Sequence, residues 1–124
     1  MSVAPATSAD PRQPAREPND LGRFFLERVN AGDLDGLVAL YEPDAVLEFP
    51  PGIVVVGHEQ IRRVYSELLA ARPRLEPGVQ APALAHGDLA LTSTRLTDGG
   101  ATAEIARRQA DGTWLWAVDQ PTVR

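Results

Sequence analysis

The sequence predicts an α+β domain in which a curved, cone-shaped antiparallel sheet wraps around three helices. Apolar residues recur at helical spacing in three segments of the first 72 residues. From residue 79 onward the apolar pattern changes to period two and is interrupted by glycine-containing turns. Helices followed by antiparallel hairpins are typical of the α+β class. A sheet curved around helices leaves a cavity at its open end, where small molecules bind.

The first two helices follow an N-terminal segment that has the composition of a disordered tail. Residues 1–18 contain four prolines and no Leu, Ile or aromatic residue, so we expect a mobile tail and a domain spanning 19–124. The first helix begins at Asn19 or Asp20 and ends at Gly32. Asp33 caps the second helix, which is predicted to continue through a packing residue, Tyr41, until Pro43.

Two short strands, 45–49 and 53–56, are predicted on either side of a Pro-Pro-Gly turn at 50–52. The third helix begins near Gly57 and ends before Pro73. Four strands then follow, at 79–85, 89–97, 101–109 and 113–119, and the last three connections have hairpin chemistry.

Composition narrows the possible functions. The chain has 124 residues and a net charge of −5, with neither cysteine nor lysine, which excludes disulfides, thiolate chemistry and Schiff bases. The acidity opposes binding to nucleic acid or to an anionic membrane. No apolar run approaches the ~20 residues of a membrane span. We therefore expect a cytoplasmic protein with no nucleic-acid or membrane partner.

Residues 23–52 resemble the opening of ketosteroid isomerase-like and SnoaL-like, polyketide cyclase-like proteins of the nuclear transport factor 2-like (NTF2-like) superfamily. The segments 30–33, 37–41, 44–45, 57–61 and 106–114 carry this resemblance, which covers about residues 19–120. It implies a cystatin-like α+β barrel. Because this fold carries isomerases, cyclases, hydrolases, dehydratases and non-catalytic modules, the resemblance does not assign a reaction.

The isomerase pattern can be transferred to this chain residue by residue. Its oxyanion-donating tyrosine falls on Phe25, its general-base aspartate on Phe49, its third-helix tyrosine on Tyr65 and its carboxylic acid on Glu104. Phenylalanine can neither accept nor donate a proton, so the resemblance does not support the isomerase route.

Glu104 and Tyr65 are the candidate catalytic residues. In an apolar cavity Glu104 would be a neutral acid, with a raised pKa, whereas on the surface it would pair with arginine. Tyr65 lies on the apolar stripe of the third helix, as a donor to a ligand oxygen or as a core residue.

Phe25, Phe49, Trp116 and His58 are the candidate ligand-binding residues. Trp116 is expected to share a strand face with Trp114 and Val118, which would line a pocket, a core or a dimer surface. His58 would act as a ligand contact or as a helix-start residue. Asp119 is interpreted as a strand-end carboxylate paired with arginine. The two histidines lack metal-ligand spacing, so no metal site is predicted.

Two functions are compatible with these residues. The first is a pocket protein that binds or transforms a small, largely apolar molecule without an organic cofactor. A hydrolytic version would use Glu104 with Arg95 or Arg108 to orient a water molecule. The second is a non-catalytic module that forms a homodimer, or docks another protein, through aromatic residues on its sheet.

Overall fold

The computed structural model describes residues 12–123, in which three helices pack on a curved sheet that does not close into a barrel. The α+β class is confirmed. The helices are α1 (Asp20–Asn30), α2 (Leu34–Val38) and α3 (Gly57–Ala70). The strands are β1 (Tyr41–Glu48), β2 (Val54–Val56), β3 (Val79–Gln80), β4 (Leu84–His86), β5 (Leu89–Thr92), β6 (Thr94–Arg95), β7 (Ala101–Arg108) and β8 (Trp114–Val123).

The sheet has the strand order β2-β1-β8-β7-β5-β4, and the short pair β3-β6 extends it beside β7. Its pairs are antiparallel except for β1 and β8, which run parallel. The prediction of a purely antiparallel sheet is therefore wrong at this one pair. A parallel pair needs a long crossover connection, and the chain between β1 and β8, which includes α3, provides one.

The helices α1 and α3 bury the apolar faces that the sequence pattern predicts. Leu21, Phe24 and Val29 are buried on α1, and Ile61 and Tyr65 are buried on α3. These side chains join one core cluster with residues of β1 and β8. Both helices are thereby held against the inner face of the sheet.

The second helix is shorter than predicted, because β-sheet pairing takes over its last residues. It ends at Val38, and Tyr41 begins β1 instead of ending a helix. The carbonyl oxygen of Leu40 accepts a hydrogen bond from the backbone N–H of Trp116 on β8, at 2.8 Å. Pairing with the last strand thus overrides the helical spacing of residues 34–41.

The predicted strands 79–85 and 89–97 are each divided in two. β3 pairs with β6, whereas β4 pairs with β5. The residues 81–83 between β3 and β4 include Pro82, which cannot donate to a ladder. Ser93 separates β5 from β6, and its hydroxyl donates to the backbone oxygen of Thr102 at 2.7 Å. These interruptions divide one long hairpin into two short strand pairs, β4-β5 next to the turn and β3-β6 farther from it.

The predicted boundary at residue 18 is also revised. Residues 1–11 of the expected tail lie outside the described residues, but residues 12–18 lie against the domain. Ala15 is 5% exposed, and its carbonyl oxygen accepts from the N–H of Trp114 at 2.9 Å. Arg12 binds Asp33 through two hydrogen bonds of 2.6 and 2.7 Å. A proline-rich segment can therefore be ordered by a few strong contacts, despite its lack of large apolar residues.

Candidate functional site

A cavity of about 500 Å³ lies between α1, α3 and the inner face of β7 and β8. Its wall is mainly apolar and includes Phe25, Leu26, Phe49 and Leu68. A cavity of this size and lining is typical of small-molecule sites.

Five of the six candidate site residues surround this cavity: Phe25, Phe49, Tyr65, Glu104 and Trp116. His58 does not line it. The Nε2 atom of His58 lies 2.7 Å from the backbone oxygen of Tyr41, at the start of β1. The structure therefore separates His58 from the other candidates, and its expected contact with a ligand lacks geometric support.

Glu104 points to the inner face of the sheet, so the alternative of a surface glutamate paired with arginine is wrong. It is 7% exposed, and it lines the cavity together with Thr102 two residues earlier on β7. Its Oε1 atom accepts a hydrogen bond of 2.6 Å from the hydroxyl of Thr92 on β5. Burial raises the pKa of Glu104, although hydrogen bonds from Thr102 and Thr92 partly oppose this.

A register shift in β8 brings a second acidic residue to the same face. Ile105 is paired with Val118, but the next residue, Ala106, is paired with Trp116, so β8 contains one additional residue. Such a bulge reverses the alternation of faces along a strand. As a result Asp119 lines the cavity with Trp116, while Val118 is exposed on the outer face. The expectation that Val118 shares the face of Trp116 is wrong.

Asp119 is buried in the wall of the cavity rather than paired with arginine at a strand end. It is 4% exposed, and its Oδ2 atom accepts a 2.5 Å hydrogen bond from the hydroxyl of Tyr41. Its Oδ1 atom is buried without a hydrogen-bond partner among residues 12–123. The pKa of Asp119 is raised to about 8, because burial, and after it the charge of Glu104, outweigh the opposing hydrogen bond from the Tyr41 hydroxyl.

Glu104 and Asp119 are direct neighbours across the ladder between β7 and β8. Two carboxyl groups that share a buried site do not both ionise readily, because each negative charge disfavours the other. Two neighbouring carboxyl groups in different environments can act as an acid and a base.

A short chain of hydroxyl groups leads from α3 to Asp119. The hydroxyls of Tyr41 and Tyr65 are 2.6 Å apart, and Tyr41 donates to Asp119. Tyr65 must then donate to Tyr41, since each phenol has a single hydroxyl hydrogen. Tyr65 offers the cavity an acceptor, not the donor that the sequence suggested. Burial is the main cause that raises the pKa of both tyrosines.

Aromatic rings form much of the remaining wall. The ring of Phe25 lies 5.8 Å from Tyr65 and 6.0 Å from Trp116, and Phe49 lies 6.3 Å from Tyr65, measured between ring centroids. The indole Nε1 of Trp116 is buried and has no hydrogen-bond partner within the described part of the chain.

Comparison with known proteins identifies the family of this chain. Residues 22–121, which contain the whole cavity apart from Thr122, match the family described as SnoaL-like domain. The chain belongs to the SnoaL-like domain family. Among curated proteins, none matches the sequence.

Solved structures support the fold of this SnoaL-like domain. A ketosteroid isomerase-like protein from Erwinia carotovora atroseptica is 19% identical, with a TM-score of 0.68 over 86% of this chain and 93% of that one. An NTF2-like protein of unknown function from Pseudomonas putida is 20% identical, with a TM-score of 0.62 over 82% and 80%. A protein with a cystatin-like fold from Nostoc punctiforme is 17% identical, with a TM-score of 0.64 over 82% and 84%. At these identities the similarity concerns the fold alone.

The arginines expected to help orient a water molecule lie elsewhere in this SnoaL-like domain. Arg108 binds the carboxylate of Asp88 and lies over the ring of Trp114, and neither Arg108 nor Arg95 lines the cavity. Arg23 lines the cavity, but its side chain is half exposed and pairs with Asp20. The hydrolytic version of the predicted function therefore lacks its arginine.

Among residues 12–123, no three His, Asp or Glu side chains are grouped so that they could hold a metal ion. Within the same range, no helix is both long and apolar enough to cross a membrane.

Proposed function

We propose that this SnoaL-like domain binds a small, neutral, largely apolar molecule in its cavity and that Glu104 and Asp119 exchange protons with it. The observation that carries the proposal is the pair of buried, facing carboxyl groups in the wall of an otherwise apolar cavity. The apolar wall favours an apolar ligand. The acidic pair disfavours an anionic one.

The different environments of the two carboxyl groups favour different roles. Asp119 is the more deeply buried and has the pKa raised to about 8, so it is the group that keeps a proton near neutral pH. Glu104 accepts a hydrogen bond from Thr92, which stabilises its ionised form. Glu104 would accept a proton from the ligand while Asp119 donates one, so the total charge of the pair is unchanged. The role of proton donor, which the sequence suggested for Glu104, is therefore assigned to Asp119 in this proposal.

Binding is tested with N-phenyl-1-naphthylamine, a neutral apolar dye whose fluorescence increases in apolar surroundings. Leu68 and Leu69 are adjacent, half-buried residues of α3, but only Leu68 lines the cavity. We expect Leu68→Trp to fill the cavity and reduce dye affinity at least tenfold, whereas Leu69→Trp changes it less than threefold. Equal effects of the two substitutions would place the dye outside the cavity and contradict the proposal.

Proton transfer is tested by incubating 1-tetralone with the protein in deuterium oxide and measuring deuterium at the carbon next to the carbonyl by mass spectrometry. In this exchange Glu104 accepts the proton of the C–H bond while Asp119 donates to the carbonyl oxygen. The proton on Glu104 is then replaced from deuterium oxide, and Glu104 returns a deuteron to the carbon as Asp119 recovers its proton. We expect incorporation above the protein-free rate, and a loss of at least tenfold in Glu104→Gln. Retained binding without exchange would contradict the catalytic part of the proposal.

The second candidate function is a homodimer formed through the outer face of the sheet. The tryptophans expected there are buried on the inner face instead. The outer face carries a row of aliphatic residues that are partners across neighbouring strands and are between 39% and 72% exposed: Leu84, Leu91, Ile105 and Val118. A continuous apolar row of this kind favours a protein interface over free exposure to solvent.

Light scattering at several concentrations tests this second function. If the row forms a dimer, Ile105→Glu should increase its dissociation constant at least tenfold, because a charge would be buried without a partner. Ser66→Glu, on the exposed side of α3, is the matched control. A wild-type protein that remains monomeric at millimolar concentration contradicts this candidate, and it leaves the cavity proposal unaffected.

A further inference from the structure

We infer that residues 73–78 form a lid at the entrance of the cavity, that the side chain of Asn30 latches this lid, and that a ligand enters and leaves when the latch opens. The inference rests on the proposed function, because it requires a ligand that exchanges with the cavity. It adds the route of that exchange and the residue that controls its rate.

The exposure of the residues that line the cavity shows where its entrance lies. Tyr65, Glu104 and Trp116 are buried and form the floor. The lining residues that are exposed form the rim, and they are Arg23, Glu76, Pro77, Gln80, Thr97 and Asp98. All four residues from 75 to 78 line the cavity. The lid therefore forms one side of the entrance.

The lid is attached to the domain by few apolar contacts. It lies between α3 and β3 and contains neither helix nor strand. The side chain of Leu75 is half-buried and packs against the core cluster, whereas Arg74, Glu76 and Pro77 are exposed. Segments with few buried apolar contacts open at a lower free energy than the core of a domain does.

Asn30, the last residue of α1, holds the middle of the lid. Its Oδ1 atom accepts a 2.7 Å hydrogen bond from the backbone N–H of Leu75, and its Nδ2 atom donates to the backbone oxygen of Leu75 at 3.0 Å. Within the described part of the chain, these two are the hydrogen bonds that residues 73–78 make. Loss of this one side chain would therefore release the lid without removing any pairing between strands.

The two ends of the lid have the backbone features of hinges. Arg72 has a φ of 51°, in the left-handed region that is uncommon for residues with a side chain, and such a conformation persists only while surrounding contacts hold it. At the other end, a Cβ atom on Gly78 would lie 2.4 Å from the backbone oxygen of Arg95, so glycine allows the chain to approach β6. Pro73 and Pro77 fix φ between these ends, which favours movement of the lid as one unit.

The rates of dye binding test the latch. Association and dissociation of N-phenyl-1-naphthylamine are followed by stopped-flow fluorescence for the wild type, Asn30→Ala and Asn19→Ala. Asn19 is the matched control, because its side chain also donates a 3.0 Å hydrogen bond to a backbone oxygen, that of Ala81, outside the lid. We expect Asn30→Ala to increase both rate constants at least tenfold and to change the dissociation constant less than threefold. The reason is that the latch sets the open fraction of the free and of the bound protein alike. Asn19→Ala should change each rate constant less than threefold.

Two results would overturn the lid while the cavity proposal stands. Unchanged rate constants in Asn30→Ala would mean that the dye uses another route. Faster dissociation with unchanged association would mean that Asn30 shapes the bound state and is not a latch. Absence of dye binding to the wild type would instead be a failure of the proposed function, and the next measurement separates it from a failure of the lid.

Amide hydrogen exchange of the wild-type protein, measured by NMR, needs neither a variant nor a ligand. The N–H of Leu75 donates to Asn30, so it exchanges with solvent when the latch opens. We expect it to exchange at least a hundredfold faster than the N–H of Tyr65, a buried residue within α3, and low concentrations of urea should accelerate only the exchange of Tyr65. If Leu75 exchanges as slowly as Tyr65 and responds equally to urea, residues 73–78 open only when the whole domain unfolds, and the lid is contradicted.

Discussion

Asp119 combines several properties that are rarely found in a structural carboxyl group. It is buried, it faces a second acid on the neighbouring strand, and one of its oxygens lacks a partner in the described chain. Burial of such a carboxyl group is unfavourable in free energy. The Tyr41 hydroxyl offsets only part of this penalty, because it donates to one of the two oxygens. Groups with strongly perturbed pKa values in a cleft are candidates for function on physical grounds.

Stability should depend on pH through this residue. The folded pKa of Asp119, about 8, lies above its usual value near 4, so the folded protein binds this proton more tightly than the unfolded chain does. Stability is therefore lost as pH rises from about 4 to about 8. Between pH 5 and pH 8, the fall in the free energy of unfolding should be smaller in Asp119→Asn than in the wild type. The difference should be on the order of 2–4 kcal/mol.

Urea denaturation at a series of pH values measures this difference. Asp44→Asn is the control, because Asp44 is an exposed acid on β1. Parallel pH profiles for Asp119→Asn and the wild type would show that Asp119 is ionised in the folded protein and would contradict the proton assignment.

The two buried tyrosines should differ in their contribution to stability. Tyr41→Phe removes the one hydrogen bond that residues 12–123 give to the Asp119 carboxyl group, leaving both carboxyl oxygens unpartnered. Tyr65→Phe removes only a donor to Tyr41. We expect Tyr41→Phe to lower the free energy of unfolding by about 1–3 kcal/mol, and more than Tyr65→Phe does. Thermal or urea denaturation at pH 7 measures both, and a larger loss in Tyr65→Phe would reverse the inferred direction of the hydroxyl chain.

The positions of Glu104, Tyr65 and the aromatic residues in the cavity wall could be predicted from the sequence, but that of Asp119 could not. Strict alternation along the last strand places Trp116 and Asp119 on opposite faces, and the residue types do not give the position of the extra residue of the bulge. The strand was also predicted to end at Asp119, whereas β8 continues to Val123. Residues 114–117, Trp-Leu-Trp-Ala, are four consecutive apolar residues, whereas a strand with one exposed face alternates apolar and polar residues. This run was a signal that simple alternation does not hold here.

Among the elements, α2 depends most clearly on a single cap. It has five residues, too few for a helix to be stable by itself. Asp33 accepts from the N–H of Gly36 at 3.0 Å and also binds Arg12, whose guanidinium lowers the pKa of this carboxyl. Asp33 therefore joins α2 to the N-terminal segment 12–18.

Asp33→Ala should destabilise the domain by about 1–2 kcal/mol, since it removes the cap and the ion pair together. The contribution of Asp33 should also decrease as pH falls from its unfolded pKa near 4 through its folded pKa, which is lowered. Urea denaturation at pH 7 and pH 3 measures both effects. Asp44→Ala is the control, and a loss at pH 7 no larger than that of the control would mean that α2 does not need its cap.

The long amphipathic helices α1 and α3 were predictable because their stripes extend over several turns. The beginning of β1 and the division of strands 79–97 were not, because they depend on partners far along the chain. Tyr41 follows the helical spacing of residues 34–41, yet the pairing of Leu40 and Tyr41 with Trp116 makes this segment extended. Local periodicity cannot indicate a contact between residues that are so far apart in the sequence.

For the whole molecule, the curved sheet creates two surfaces with different possible roles. Its inner face and the helices enclose the cavity, and its outer face carries the aliphatic row. The fold class and a cavity were predictable from the order of helices and hairpins together with the family resemblance. The parallel β1–β8 pair was not, because strand direction across a long crossover is not encoded in local residue patterns.

We propose that the cavity, and not the outer face, is where this SnoaL-like domain binds a small molecule. A crystal structure of the protein soaked with 1-tetralone tests this proposal. We expect electron density for the ligand between Phe25, Phe49 and Leu68, with the carboxyl groups of Glu104 and Asp119 in contact with it. Density on the Leu91–Ile105 row, or a cavity filled by protein side chains, would contradict the proposal.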